Sequence, residues 1–176
     1  TDFSVSNLRY DANGNILSMN QNGLKAGASP LIDQLAYSYQ TNSNTLAKVS
    51  DAQSDPNTKL GDFHDGSNGA TDDYSYDGNG NLTLDNNKAI SSIAYNYLNL
   101  PQTIAVTGKG TITYTYDAAG NKIKKTAVDN TSRPYKTNTT LEYGVFVCQQ
   151  DTLQLIPNEE GRAIWAYHTY SSGNAA

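Results

Sequence analysis

Polar and apolar residues alternate along this chain in short bursts that end in turn residues, which is the rhythm of strands. Tyr37-Ser38-Tyr39, Tyr74-Ser75-Tyr76 and Thr113-Tyr114-Thr115-Tyr116 each put tyrosines on one face of an extended segment and small hydroxyl residues on the other. The bursts run into clusters that repeat. Three segments align without gaps: Arg9-Tyr10-Asp11-Ala12-Asn13-Gly14-Asn15-Ile16-Leu17, Ser75-Tyr76-Asp77-Gly78-Asn79-Gly80-Asn81-Leu82-Thr83 and Thr115-Tyr116-Asp117-Ala118-Ala119-Gly120-Asn121-Lys122-Ile123. All read Tyr-Asp-x-x-Gly-Asn. A fourth, Tyr39-Gln40-Thr41-Asn42-Ser43-Asn44-Thr45-Leu46, keeps Tyr39, Asn44 and the apolar residue but replaces the Asp and the Gly. From Asn15 to Asn44, Asn81 and Asn121 the intervals are 29, 37 and 40 residues, so the repeat is elastic.

Each unit has a mechanical reading. The Asp accepts hydrogen bonds from amides ahead of it, and the Gly supplies the positive φ that closes a type I turn with a bulge. This predicts hairpins near residues 10–17, 39–46, 76–83 and 116–123. The residues that build them are Tyr10, Asp11, Gly14, Asn15, Tyr39, Asn44, Tyr76, Asp77, Gly80, Asn81, Tyr116, Asp117, Gly120 and Asn121. One hairpin is marginal in water, so its tyrosine face needs neighbours. Hairpins laid side by side would bury one another's faces, as in a solenoid. The stretch from Ile93 to Ile104 reads as a further strand pair, in which Pro101 ends one strand and Thr103-Ile104-Ala105-Val106 resumes. Residues 50–73, rich in Asp, Gly, Ser and Asn, read as a long surface loop with a short helical turn expected around Lys59-Leu60-Gly61-Asp62-Phe63. The expected fold is all-β: an array of consecutive antiparallel hairpins over 1–140, followed by a β segment over 141–176.

Composition agrees with strands. Glu occurs 3 times and Met once against 13 Tyr, 20 Asn and 18 Thr, a balance that disfavours helix, and the tyrosines argue against disorder. A net charge of −5 with scattered Lys and Arg leaves no electrostatic footprint for nucleic acid. No apolar run approaches the ~20 residues of a membrane span, so no membrane insertion is expected. The chain opens on Thr1-Asp2-Phe3, with neither an initiator Met nor a signal-peptide pattern, and reads as a piece of a longer protein. The single Cys148, in an apolar run, has no internal disulfide partner and reads as a buried small hydrophobe.

Candidate chemistry is sparse. Asp11 to Asn15 and Asp77 to Asn81 begin like a calcium loop, but the sixth position is Ile16 or Leu82 and the twelfth is Asn22 or Lys88, so a hairpin turn is the better reading. Asp62, Asp65, Asp72 and Asp73 with His64 read as a solvated charge cluster rather than a cation site. His64 and His168 stand in no hydrolase or zinc motif, and Glu159-Glu160-Gly161-Arg162 reads as a turn with a local ion pair. No catalytic residue, metal or cofactor is expected. Asn81, Asn130 and Asn138 fit the N-glycosylation pattern, and Asp151-Thr152-Leu153 resembles a bacterial O-glycosylation acceptor. An alternative function is carbohydrate binding, since tyrosine rings stack on sugars while Asn and Asp bond their hydroxyls. Recurrence of tyrosine at the same place in every hairpin favours packing between hairpins instead.

Tyr-Asp-x-x-Gly-Asn hairpins at irregular spacing, interleaved with Tyr95-Asn96-Tyr97-Leu98-Asn99-Leu100-Pro101, resemble the YD-repeat (rearrangement-hotspot) family, which includes bacterial polymorphic toxins, toxin-complex subunits and the ectodomains of teneurins. Glu142-Tyr143-Gly144 through Ala163 is similar to the stretch that precedes the core of bacterial members. The resemblance covers nearly the whole chain. It implies a curved or spiralling sheet that forms an open segment of a β-shell, and a scaffold role in a large secreted or cell-surface protein whose shell encloses a toxin or other C-terminal cargo. The partners it implies are neighbouring repeats of the same chain and, through free sheet edges, other copies. The self-cleaving aspartates of the family's core have no counterpart before Ala176 and are not carried over.

Overall fold

The computed structural model describes residues 2–24, 31–53, 61–66, 72–143, 146–150, 152–158 and 161–164. The fold is all-β: among the described residues there is no helix, and the strands are antiparallel, each following its neighbour in chain order. Two compact units divide the chain, Thr1–Ile93 and Ala94–Ala176.

In the first unit, β1 (Val5–Tyr10), β2 (Ile16–Asn22), β3 (Leu31–Tyr39) and β4 (Leu46–Asp51) form a four-stranded meander. Its register is set by pairs such as Tyr10 with Ile16, Ser18 with Ala36 and Tyr37 with Val49. Strand alternation turns Leu35, Ala47 and Val49 inward, and together with Ile32 they are the buried apolar core. Ile32 is seated by a missing side chain, because a Cβ on Gly23 would lie 2.5 Å from Ile32 Cδ1. The short strands β5 (Tyr74–Tyr76), β6 (Leu82–Asp85) and β7 (Ile90–Tyr95) follow.

Asp73 joins the two parts of this unit. On the free edge of β4, Asp73 N donates to Ala47 O at 2.9 Å while Asp73 Oδ2 accepts from Val49 N at 2.8 Å, so a carboxylate stands where the next strand's carbonyl would. The same Oδ2 accepts from Asn87 Nδ2 at 3.0 Å, and Asp73 O accepts from Asn86 N at 2.9 Å. Asp73 is fully buried, at 0% exposure. The span 50–73 is therefore not all surface loop: Ser50 and Asp51 belong to β4, and Asp73 is a structural keystone. Of the expected helical turn, Lys59 and Leu60 lie outside the described residues, and Gly61 to Phe63 are not helical. Phe63 is tied down instead, its N donating to Asp33 Oδ1 at 2.7 Å.

In the second unit β8 (Pro101–Val106), β9 (Gly110–Tyr116), β10 (Lys122–Asp129), β11 (Lys136–Tyr143), β12 (Phe146–Gln149), β13 (Thr152–Asn158) and β14 (Gly161–Ile164) form a meander. Pairs such as Thr103 with Thr113, Ala127 with Ile112 and Thr126 with Thr139 fix its register. The 140/141 division drawn from sequence falls within β11, and the division into compact units at 93/94 falls within β7. Gly110 has φ +140°, and a Cβ there would collide with Val128 O. Cys148 sits half-buried on β12.

Candidate functional site

The recurring feature of the molecule is its turn. In the first hairpin Asp11 N donates to Asn15 O at 2.9 Å, and Gly14, at φ +86°, donates to Asp11 O at 3.2 Å. Asp11 Oδ1 accepts from Asn13 N and Asn15 N, both at 2.8 Å, and Oδ2 accepts from Asn15 Nδ2 at 2.8 Å. The same latch recurs at Asp77 with Asn79 and Asn81, and at Asp117 with Ala119 and Asn121. Gly80 and Gly120 take φ +83° and +86°, and each of the three hairpins has the register shift of a bulge beside its tyrosine or just past the turn. The Asn81, Asn15 and Asn121 side-chain bonds, followed by those from backbone amides, hold the Asp77, Asp11 and Asp117 carboxyls below the ordinary aspartate value.

Sequence alignment missed a fifth turn of the same kind. Asn96 N donates to Leu100 O at 2.9 Å, and Asn96 Oδ1 accepts from Leu98 N at 2.9 Å and Leu100 N at 3.0 Å. Asn99 takes the glycine's place at φ +57°. Asn does both jobs because its amide oxygen substitutes for a carboxylate and its short side chain tolerates the left-handed region. Pro101 begins the exit strand β8, rather than ending a strand. In the degenerate fourth repeat the closing residue also differs from the alignment. Gln40 N donates to Thr45 O at 2.9 Å, so this loop is one residue longer and Asn44 lies outside the latch. Asn44 Oδ1 instead accepts from Asn13 Nδ2 at 3.1 Å and Asn15 Nδ2 at 2.8 Å, tying one turn to the next.

The tyrosines make a second repeated bond. Tyr39 Oη donates to Ile16 O at 2.8 Å, Tyr76 Oη to Leu46 O at 3.0 Å and Tyr116 Oη to Pro101 O at 2.8 Å. Each acceptor is the first residue of the exit strand of the preceding turn. Burial raises all three hydroxyls above the ordinary tyrosine value. Tyr10, in the first hairpin, is exposed on β1, next to exposed Phe3, Val5 and Leu8.

The acidic residues that read from sequence as one solvated cluster have different settings. Asp72 is exposed and Asp73 is the buried keystone, while His64 Nδ1 lies 3.8 Å from Asp62 Oδ2. Asp62 instead meets residues distant in sequence: carboxylate oxygens of Asp33, Asp51 and Asp62 lie within 4.8 Å of one another. Asp33 is 1% exposed, and Asp51 Oδ1 accepts from Gln34 N at 2.7 Å and Gln53 N at 2.9 Å. Desolvation, then the charges of Asp51 and Asp62, raise the Asp33 carboxyl above its ordinary value against the opposing bond from Phe63 N. An all-oxygen set suits a hard cation such as calcium. Three carboxylates alone fall short of its usual six to eight or so oxygen ligands.

The modification candidates occupy different settings. The Asn81 amide is engaged with Asp77, Asn130 and Asn138 are exposed, Thr152 starts β13, and Asp151 lies outside the described residues, as do Glu159, Glu160 and His168. In the second unit Tyr97, Asn96, Gln102, Tyr114 and Tyr116 line an open cleft of about 580 Å³. No protein-family model matches the chain, and no curated protein matches it in sequence.

Proposed function

We propose that this chain is a structural, non-catalytic segment of a large secreted or surface protein of the YD-repeat type, forming part of a curved β-shell that encloses a C-terminal cargo. The observation that carries the reading is the tyrosine bond, which links each of three turns to the exit strand of the turn before it. Such a bond has no purpose in a lone hairpin and is a device for adding hairpins indefinitely. Tyr10 and the exposed apolar residues of β1 present the same device without a preceding hairpin. That edge is where an earlier repeat, or another copy, would pair.

The test is electron microscopy of the full gene product that contains this segment. These hairpins are expected in the wall of a hollow particle, with β1 paired to an earlier strand. A free-standing domain with β1 facing solvent would overturn the reading. Carbohydrate binding is the second reading, favoured by the setting of Tyr97.

A further inference from the structure

The segment 61–66 is fixed to the first sheet at the point where three carboxylates meet. Asp33 of β3, Asp51 of β4 and Asp62 of the segment bring oxygens within 4.8 Å of one another. Asp33 is 1% exposed, and the Asp62 side chain is fully buried. Two of the three are pinned by backbone amides and cannot swing apart. Asp33 Oδ1 accepts from Phe63 N at 2.7 Å, and Asp51 Oδ1 accepts from Gln34 N at 2.7 Å and Gln53 N at 2.9 Å, while Asp51 Oδ2 is buried and accepts from no described group.

Negative charges held this close and out of water repel one another, and retaining one proton relieves the repulsion. Asp33 is the group that keeps it. Burial first, then the charges of Asp51 and Asp62 and a side-chain bond to Asp62, raise its carboxyl above the ordinary aspartate value against the bond from Phe63 N, and no cation enters that balance. The other groups around it are the neutral Gln21, opposite it on β2, and Tyr37 further along β3, whose hydroxyl is raised by burial, by Tyr39 and by the Asp33 charge. Behind Asp62, His64 Nδ1 stands 3.8 Å away on a half-exposed ring. A protonated Asp33 thus holds the segment twice, donating to Asp62 and accepting from Phe63 N. The segment in turn covers the core, since a Cβ on Gly61 would lie 3.8 Å from Ile32 Cδ1.

We propose that Asp33 is a proton-operated latch: protonated, it clamps segment 61–66 over Ile32, and ionised, it releases the segment by repulsion from Asp62 and Asp51. The clamp is complete below the unfolded aspartate value near ~4 and is lost as pH rises through the higher folded value. The latch is independent of the scaffold reading.

The experiment is hydrogen exchange of the whole chain between pH about 4 and about 8, read at the Phe63 amide as a protection factor so that the intrinsic pH dependence of exchange is removed. Protection of Phe63 is expected to fall about tenfold or more across that range while amides of β9 and β10 keep theirs. In Asp33→Asn the neutral amide can accept from Phe63 N and donate to Asp62, so protection should stay high throughout. Asp51→Asn removes one repelling charge, which should move the midpoint to lower pH and shrink the fall. Constant protection of Phe63 in the parent, or a fall that persists in Asp33→Asn, would overturn the proposal. So would protection restored at neutral pH by millimolar calcium, since the cluster would then hold a cation rather than a proton. Should Asp33→Asn fail to fold, Asp51→Asn decides, and an unmoved midpoint there would also overturn it.

Discussion

The two units use the same antiparallel meander and the same latched turn, yet among the described residues the deeply buried side chains are those of the first. In the first, Ile32, Leu35, Ala47 and Val49 are buried along with Asp33, Asp73 and Asp85, whereas no described side chain of the second falls in that class. Ile104, Val106 and Ile112 of the second unit, which strand alternation would make core residues, are half-buried. The difference lies in the loop. Residues 61–66 and 72–73 return over the first sheet and bond to it through Asp33 and Asp73, and no described segment does this for β8 to β14. Successive hairpins thus supply a ladder and a half-covered face, and among the described residues the buried core lies where an inserted segment closes that face. Charge follows the same division: residues 1–93 carry eleven acidic and five basic side chains, residues 94–176 six and seven.

The sharpest way to break this contrast is Asp73→Ala. It would remove the carboxylate that accepts from the buried Val49 amide and from Asn87 Nδ2, at a cost of about 3 kcal/mol. Hydrogen exchange should show the loss in β3 and β4, with β9 and β10 keeping their protection. Equal deprotection of both units would mean that they do not unfold separately. Among the described residues of the second unit there is no such keystone, and the comparable weak point is backbone packing. Gly110→Ala would drive a Cβ into Val128 O in a left-handed conformation, and thermal melting should report a loss of about 2 kcal/mol or more.

The shared turn gives smaller effects that should be alike in both units. Gly14→Val, Gly80→Val and Gly120→Val should each cost well over ~1 kcal/mol, because β-branched residues tolerate positive φ poorly. An unchanged Tm in all three would contradict the turn. Removing the hydroxyl in Tyr39→Phe, Tyr76→Phe or Tyr116→Phe should cost about 1 kcal/mol each, and a value near zero would show that the bond to the preceding turn does not hold the stack.

The mildest test is pH. Asp11, Asp77 and Asp117 have folded pKa values below their unfolded ones, so their contribution is present above the unfolded value near ~4 and is lost as pH falls through the folded one. Asp33 has the opposite sign: its raised value means that its ionisation opposes folding once pH rises above the unfolded value. Melting of Asp33→Asn at neutral pH should therefore show a higher Tm than the parent, while Asp117→Asn should flatten the acid limb of the second unit. A lower Tm in Asp33→Asn would show that its charge is compensated.

The latch was legible because it is local. Asp11 reaches amides two and four residues ahead, so the identities within Asp-x-x-Gly-Asn are enough to specify it. The turn at Asn96 escaped because two Asn residues replace the Asp and Gly of the motif, although Asn at both an Asx position and a left-handed position was the available signal. A gap-free alignment puts Asn44 in the closing position because it cannot express a loop with one extra residue.

What the chain determined by itself was its alternation and its turns: an all-β meander follows from period-two strands closed by side chains a few residues away. Which carboxylates are buried was decided only in three dimensions. Asp33, Asp51 and Asp62 are separated by up to 29 residues and meet because a loop folds back on β3 and β4. The acceptor for each tyrosine hydroxyl likewise lies 15 to 30 residues away, on another hairpin. Contacts of that range depend on which sheet face a returning segment covers, and no pattern within a single hairpin encodes it.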